Sequence, residues 1–230
     1  MSRIFVTGDT HRDIDWNKLN THNFPVQKEL TKDDYLIITG DFGCIWFGDK
    51  TDDYFLRDYS KRSFTTLFVD GNHENHDLLD SYPVEIWNGG KVHRLTDSVI
   101  HLMRGQVYEI DGKTFFTMGG AQSSDMFHRK EGKSWWPREI PSDEEYDEAL
   151  KNLEAHDFKV DYIITHCCPE DLIGTQDVFF DRKMNRLTYF LTSLITEFHI
   201  DYKGWYWGHY HLDKDFGDLH CLYSRIVEIG

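Results

Sequence analysis

The chain has 230 residues, 15% of them aromatic, and carries a formal net charge of −15. A chain of that length buries enough apolar surface to fold without a disulfide framework or a structural metal. Its acidity argues against general nucleic-acid binding, which rests on Lys and Arg neutralising phosphates, and no apolar run approaches the roughly 18 residues that a membrane-spanning helix needs.

The first strand is expected at Ile4–Thr7, and the opening Arg3-Ile-Phe-Val-Thr7 does not read as a secretory signal. A cytoplasmic protein is therefore expected. Strands follow at Tyr35–Thr39, Thr66–Asp70, Val99–Leu102, Gln106–Ile110, Thr114–Met118, Tyr162–Thr165 and Gly204–Trp207, with two more near Leu219–Tyr223 and Arg225–Ile229. Asp111-Gly112 between two of these runs is a hairpin signal. Helices are expected at Asp52–Arg62, from the capping box Ser142/Glu145 to about His156, and at Asn185–His199. In the last of these Leu187, Phe190, Leu191, Leu194, Ile195 and Phe198 form one apolar stripe at helical spacing. Strand and helix alternate in the N-terminal half, whereas the middle and the C-terminal end are richer in hairpins. That order predicts a single α/β domain over residues 1–230, two β-sheets packed face to face with helices outside.

The four cysteines are Cys44, Cys167, Cys168 and Cys221; two are adjacent and none belongs to a C-x-x-C pair. They make neither a disulfide framework nor a thiolate zinc site. Cys167 and Cys168 read as small apolar fillers at a strand end.

Five short segments carry the chemistry: Gly8-Asp9-Thr10-His11, Gly40-Asp41, Gly71-Asn72-His73-Glu74, Thr165-His166 and Gly208-His209-Tyr210-His211. Four share a pattern, an apolar strand and then a metal-competent side chain, most with a glycine beside it. Asp9, Asp41 and Asn72 fall just past strand C-terminal ends, where ligands of α/β sheets gather. Glycine permits the tight turns and close backbone approach that a buried ion needs. The donors are imidazole, carboxylate and amide oxygen, with no thiolate, a set that suits Mn, Fe, Zn or Ni. A carboxylate shared by two cations about 3.5–4 Å apart clamps both oxygens of an in-line phosphoryl displacement. Metal-acidified water supplies the nucleophile, and His73 suits protonation or stabilisation of the leaving group. A lone histidine is more often structural, so His22, His76, His93, His101, His128, His156, His199 and His220 are read as such.

Taken in order, these segments resemble the calcineurin-like metallophosphoesterase superfamily, and the match spreads from Asp9 to His211. The resemblance implies a four-layer αββα sandwich of two mixed β-sheets flanked by helices. It implies Asp9, His11 and His211 on one cation, Asn72, His166 and His209 on a second, Asp41 bridging, and His73 as the catalytic histidine. Two divalent ions are expected, Mn first, with Fe, Zn or Ni as alternatives. The expected partner is a phosphoester substrate, whether a small molecule, a nucleotide or a phosphoprotein, without general nucleic-acid or membrane binding.

The sequence also departs from the pattern. Many members follow the bridging aspartate with G-D-x-x-D-R, whereas this chain reads Gly40-Asp41-Phe42-Gly43-Cys44-Ile45-Trp46. The phosphate-holding arginine is absent there, which weakens a phosphoprotein phosphatase reading. Arg12, Arg104 and Arg129 are the candidates for a substitute phosphate clamp. Residues 121–141 read as a lid-like insertion over the site. Its Trp135 and Trp136 either stack a substrate ring or pack on the core.

The function expected is dinuclear metal-dependent hydrolysis of phosphomonoesters or phosphodiesters. Two alternatives are a catalytically silent metal-binding scaffold of the same fold and a nuclease acting on short nucleic acid. The filled ligand positions and His73 favour the enzyme.

Overall fold

The computed structural model describes residues 1–170 and 185–230. Its strands are β1 (Ile4–Thr7), β2 (Tyr35–Ile38), β3 (Thr65–Phe68), β4 (Val84–Trp87), β5 (Gly90–Thr96), β6 (Val99–Leu102), β7 (Gln106–Ile110), β8 (Lys113–Met118), β9 (Tyr162–Thr165), β10 (Gly204–Trp207), β11 (Lys214–Phe216), β12 (Leu219–Cys221) and β13 (Ile226–Ile229). Among the described residues the helices of two turns or more are α1 (Lys50–Ser60), α3 (Asp143–Glu154) and α4 (Arg186–Thr196), and α2 (His76–Leu79) is a single turn.

The strands form two mixed sheets, ordered β13-β1-β2-β3-β6-β5-β4 and β11-β12-β10-β9-β8-β7. The centre of each sheet is parallel, β1 through β3 to β6 in one and β8, β9, β10 and β12 in the other. Antiparallel strands occupy the margins. Side chains alternate across each strand. Ile4, Val6, Ile37, Phe115, Ile164 and Tyr206 fill the space between the sheets. Phe5, Leu36 and Ile38 face the other way, onto Phe55, Leu56 and Tyr59 of α1. Phe116, Ile163, Trp205 and Trp207 do the same on the second sheet, against α3 and α4. The result is the expected four-layer αββα sandwich.

Local signals explain several elements. Asp111 and Gly112 both take positive φ, 52° and 74°, which closes the β7–β8 hairpin as a primed turn. Ser142 and Glu145 form the reciprocal capping box at the start of α3. The α4 stripe buries Leu187, Phe190, Leu191 and Leu194, although the helix stops at Thr196 rather than His199. α1 starts two residues earlier than expected, because Asp49 caps it by accepting from the Thr51 N–H. The β4–β5 hairpin and β11 are additions to the expected elements.

Candidate metal centre

Five parallel strands from the two sheets end on the same side and hand their following residues to one cluster. β1 leads to Asp9 and His11, β2 to Asp41, β3 to Asn72 and His73, β9 to His166, and β10 to His209 and His211. The loops are knitted together by backbone bonds: the N–H groups of Thr10 and His11 donate to the Asp41 carbonyl, and the Gly208 N–H donates to the His166 carbonyl. His11, Arg12, Asp41, His209 and His211 all have positive φ, between 41° and 65°. Non-glycine residues rarely adopt that region, and such strain gathers at functional sites.

The side chains converge. His11 Nε2 lies 3.2 Å from Asp41 Oδ2, and His166 Nε2 lies 3.3 Å from Asp41 Oδ1 and 3.2 Å from Asn72 Oδ1. His211 Nε2 is 3.3 Å from Asp9 Oδ2, and the His209 N–H donates to both oxygens of Asp9 at 3.0 and 3.1 Å. The rings of His209 and His166 are 5.0 Å apart. Asp9, His11 and His211 can offer one donor atom each within 4.8 Å of one another, and so can His11, Asp41 and His73. The structure thus gathers Asp9, His11, Asp41, Asn72, His73, His166, His209 and His211 in one place.

The donor set fits divalent cations on the evidence of its supports. His11 Nδ1 is bonded to Asp15 Oδ2 at 2.6 Å, and His166 Nδ1 donates to the Thr39 carbonyl at 2.7 Å. Both rings therefore present Nε2 to the cluster, the arrangement that second-sphere partners impose on metal-binding histidines. Glycines clear the space: a Cβ on Gly71 would sit 2.1 Å from Asp41 Oδ1, and one on Gly208 would sit 2.0 Å from Asp9 Oδ1.

Electrostatics match. Burial opposes charge on His11, but the hydrogen bond and charge of Asp41, with Asp9 and Asp15 behind it, raise its pKa to about 9. Burial likewise opposes charge on His166, and Asp41 and Asp9 overcome it, raising the pKa to about 10. Burial and the charge of His166 push His209 down to about 3, which keeps that imidazole neutral. Cations bind neutral imidazole, so loading must displace the protons held by the first two rings. Metal uptake by the apo protein is expected to release protons, and affinity should rise with pH up to about 10. Calorimetry in buffers of different ionisation enthalpy checks this; uptake without proton release would contradict it.

Three supports have no role in the expectations from sequence. Glu74 is buried and accepts from the N–H groups of Gly43 and Gly71 at 3.0 and 2.6 Å, tying two site loops together. Its place beside His73 was the only sequence signal. Lys18 donates through Nζ to the carbonyls of Gly8, Asp9 and Tyr223, and burial lowers its pKa to about 8. Asp15, besides holding His11, accepts from the Tyr223 hydroxyl at 2.7 Å. Nothing in the local sequence marks Lys18 or Asp15.

The three clamp candidates part company. Arg12 lines a cleft of about 140 Å³ with His11, Ile14, Gly43, Trp46, Phe47 and His73. Arg129 is paired to Asp125 at 2.7 Å, and its charge reaches His73, where it opposes protonation. Arg104 corrects the expectation. It is only 4% exposed, and its guanidinium is committed to Asp70 and, at 3.3 Å, to Glu145, so no donor is turned to the cluster.

Residues 121–141 stand beside the site, with Asn72 Nδ2 donating to Ser123 Oγ at 3.2 Å. Of the two readings for the tryptophans, packing describes Trp136. It is buried edge-on against Trp46, ring centres 5.5 Å apart, and donates to Asp77.

Among the described residues no helix is long and apolar enough to cross a membrane. No curated protein matches the chain by sequence. Among solved structures it is similar to GAP50, titled the anchor in the inner membrane complex of Plasmodium. The TM-score is 0.52, with 14% identity over 97% of this chain and 71% of that one, a likeness of fold. The profile of the calcineurin-like phosphoesterase family matches residues 2–213, nearly the whole chain with all eight clustered side chains inside it. This chain belongs to the calcineurin-like phosphoesterase family.

Proposed function

We propose that the chain hydrolyses small phosphomonoesters or phosphodiesters in the cytoplasm, using two divalent cations, Mn first among them. Asp9, His11 and His211 would hold one ion, Asn72, His166 and His209 the other, with Asp41 shared. Bound there, the ions would supply Lewis acidity toward a phosphoryl oxygen and acidify water to a nucleophile near neutral pH.

The chain's own residues supply the rest. Asp15 and the Thr39 carbonyl hold two imidazoles in the ligating tautomer. Asp41 fixes the His73 backbone through its N–H at 2.8 Å, while the His73 ring lines the cleft beside Arg12. Burial lowers the His73 pKa and Asp41 opposes the fall. An incoming phosphate adds negative charge, which moves that pKa upward, toward a proton donor for the leaving oxygen. Arg12, paired with Asp13 at 2.7 Å, and Arg129 would hold the phosphate.

The observation that carries this reading is the convergence of Asp9, Asp41, Asn72 and His166 from four strand ends of two sheets. Mn-reconstituted protein is expected to hydrolyse an aryl phosphate or its diester. His73→Ala should keep its metal and lose about 10²–10⁴-fold in kcat, the usual contribution of a general acid. A wild-type protein holding two ions yet inert on a broad phosphoester panel would favour the scaffold instead.

A further inference from the structure

The cleft beside His73 has a wall that metal chemistry does not use. Trp46 sits with its ring centre 6.3 Å from that of His73, tilted by 35°. Phe47 follows it and is 54% exposed, and Ile14 across the cleft is 74% exposed. Apolar side chains lining a cleft that opens beside a polar cluster offer a binding surface.

This wall is held in place. The buried carboxylate of Asp52 accepts from three successive backbone N–H groups, Trp46, Phe47 and Gly48, at 2.9, 2.8 and 2.7 Å. The Trp46 carbonyl accepts from Asn75, and its indole rests on the buried Trp136. Exposure of Phe47 is thus built into a fixed turn, and a pre-ordered surface loses little entropy on binding.

We propose that Trp46 and Phe47 are the stacking subsite for the base of a nucleoside phosphoester. This rests on the reading above, that the metal cluster takes the phosphate. Three features select this ligand. The cleft, about 140 Å³, is well below the roughly 300–1,000 Å³ of a drug-sized site, which suits one ring system. His11 and Arg12 lie deep in it, with side chains 12% and 24% exposed, whereas Ile14 and Phe47 form its rim. A ring carried on a sugar reaches that rim; a ring esterified directly to phosphorus stays near the floor. The net charge of −15 disfavours a long polyanion, leaving a mononucleotide-sized ester.

Binding tests the subsite without turnover when each ligand carries a phosphonate in which a methylene replaces the ester oxygen. The analogues of adenosine 5′-monophosphate and of ribose 5-phosphate then share sugar and phosphonate and differ by the base. Calorimetry on Mn-loaded wild type is expected to show the nucleotide analogue about tenfold tighter or more, the usual effect of one base–aromatic stack. Phe47→Ala should collapse that ratio toward one, and Phe47→Tyr should restore it. Equal affinities in wild type would overturn the subsite while leaving the hydrolase reading intact. Tighter binding of the phenyl phosphate analogue than of the nucleotide analogue would also overturn it, in favour of an aryl ester. If neither phosphonate binds the loaded protein, both readings fall together, whereas a base-dependent ratio in a protein inert toward phosphoesters would keep the subsite and sink hydrolysis.

Discussion

Asp41→Asn is expected to lose about a thousandfold or more in kcat and to retain fewer than two cations per chain. Bridging metals stabilise the transition state by several kcal/mol, and each 1.36 kcal/mol is about tenfold in rate. The substitution keeps size in a place where size is constrained, since even a Cβ on Gly71 would reach 2.1 Å from Asp41 Oδ1. The fold should therefore survive and a thermal melt should stay near wild type. What changes is charge. Asp41 is a principal partner that keeps His11 and His166 protonated in the apo protein, at about 9 and about 10. With an amide in its place both rings should titrate lower, and fewer protons should leave on metal uptake. Elemental analysis, steady-state rates and proton release report on the same residue independently. Full metal content with full rate would remove Asp41 from between the cations.

Arg104→Met is expected to destabilise the fold strongly and to leave rate per loaded molecule nearly unchanged below the melt. Arg104 donates to Asp70 Oδ2 through Nε at 2.9 Å and through Nη2 at 2.5 Å, and to the Arg138 carbonyl at 2.7 Å. Removing one member of a buried pair strands the other, at about 3–5 kcal/mol. For a domain of this length each kcal/mol shifts the midpoint by about 2–4 °C, so a fall of roughly 6–20 °C is expected. The sign with pH follows from Asp70. Burial alone would raise its pKa, but Arg104 and His101 outweigh burial and hold it well below the ordinary carboxylate range. Its stabilising contribution is therefore complete above the ordinary aspartate pKa and is lost only as pH falls below it. In the Met variant the wild type's advantage should shrink in acid. A variant with a wild-type melt and a collapsed rate would return Arg104 to phosphate binding.

The histidines and their neighbours show how far one-dimensional reasoning reaches. The metal-competent residues were legible because each follows an apolar strand, and such a strand in a parallel sheet must deliver its next residue to the same edge as its neighbours. The capping box at Ser142 and the turn at Asp111-Gly112 were legible for a similar reason, each being satisfied by residues two or three apart. The β4–β5 hairpin turns on Asn88-Gly89, a strong local signal by itself. β4 went unforeseen because it is an edge strand whose Val84 and Ile86 are exposed, so burial does not impress a pattern on it.

By itself the sequence determined the layered α/β class, the five loop segments and the nature of their donors, since strand periodicity and ligand chemistry are properties of neighbouring residues. Only the tertiary structure decided that Arg104 belongs to Asp70, that Trp136 lies under Trp46, that Lys18 binds the Asp9 loop and that Asp52 holds Phe47 at the cleft. Each of these is a choice among partners distant in the chain or turned by a local bend. Charge, hydrogen-bonding capacity and size are written in every residue, but which partners satisfy them is settled by burial, when the chain closes and leaves each group only a few neighbours within reach.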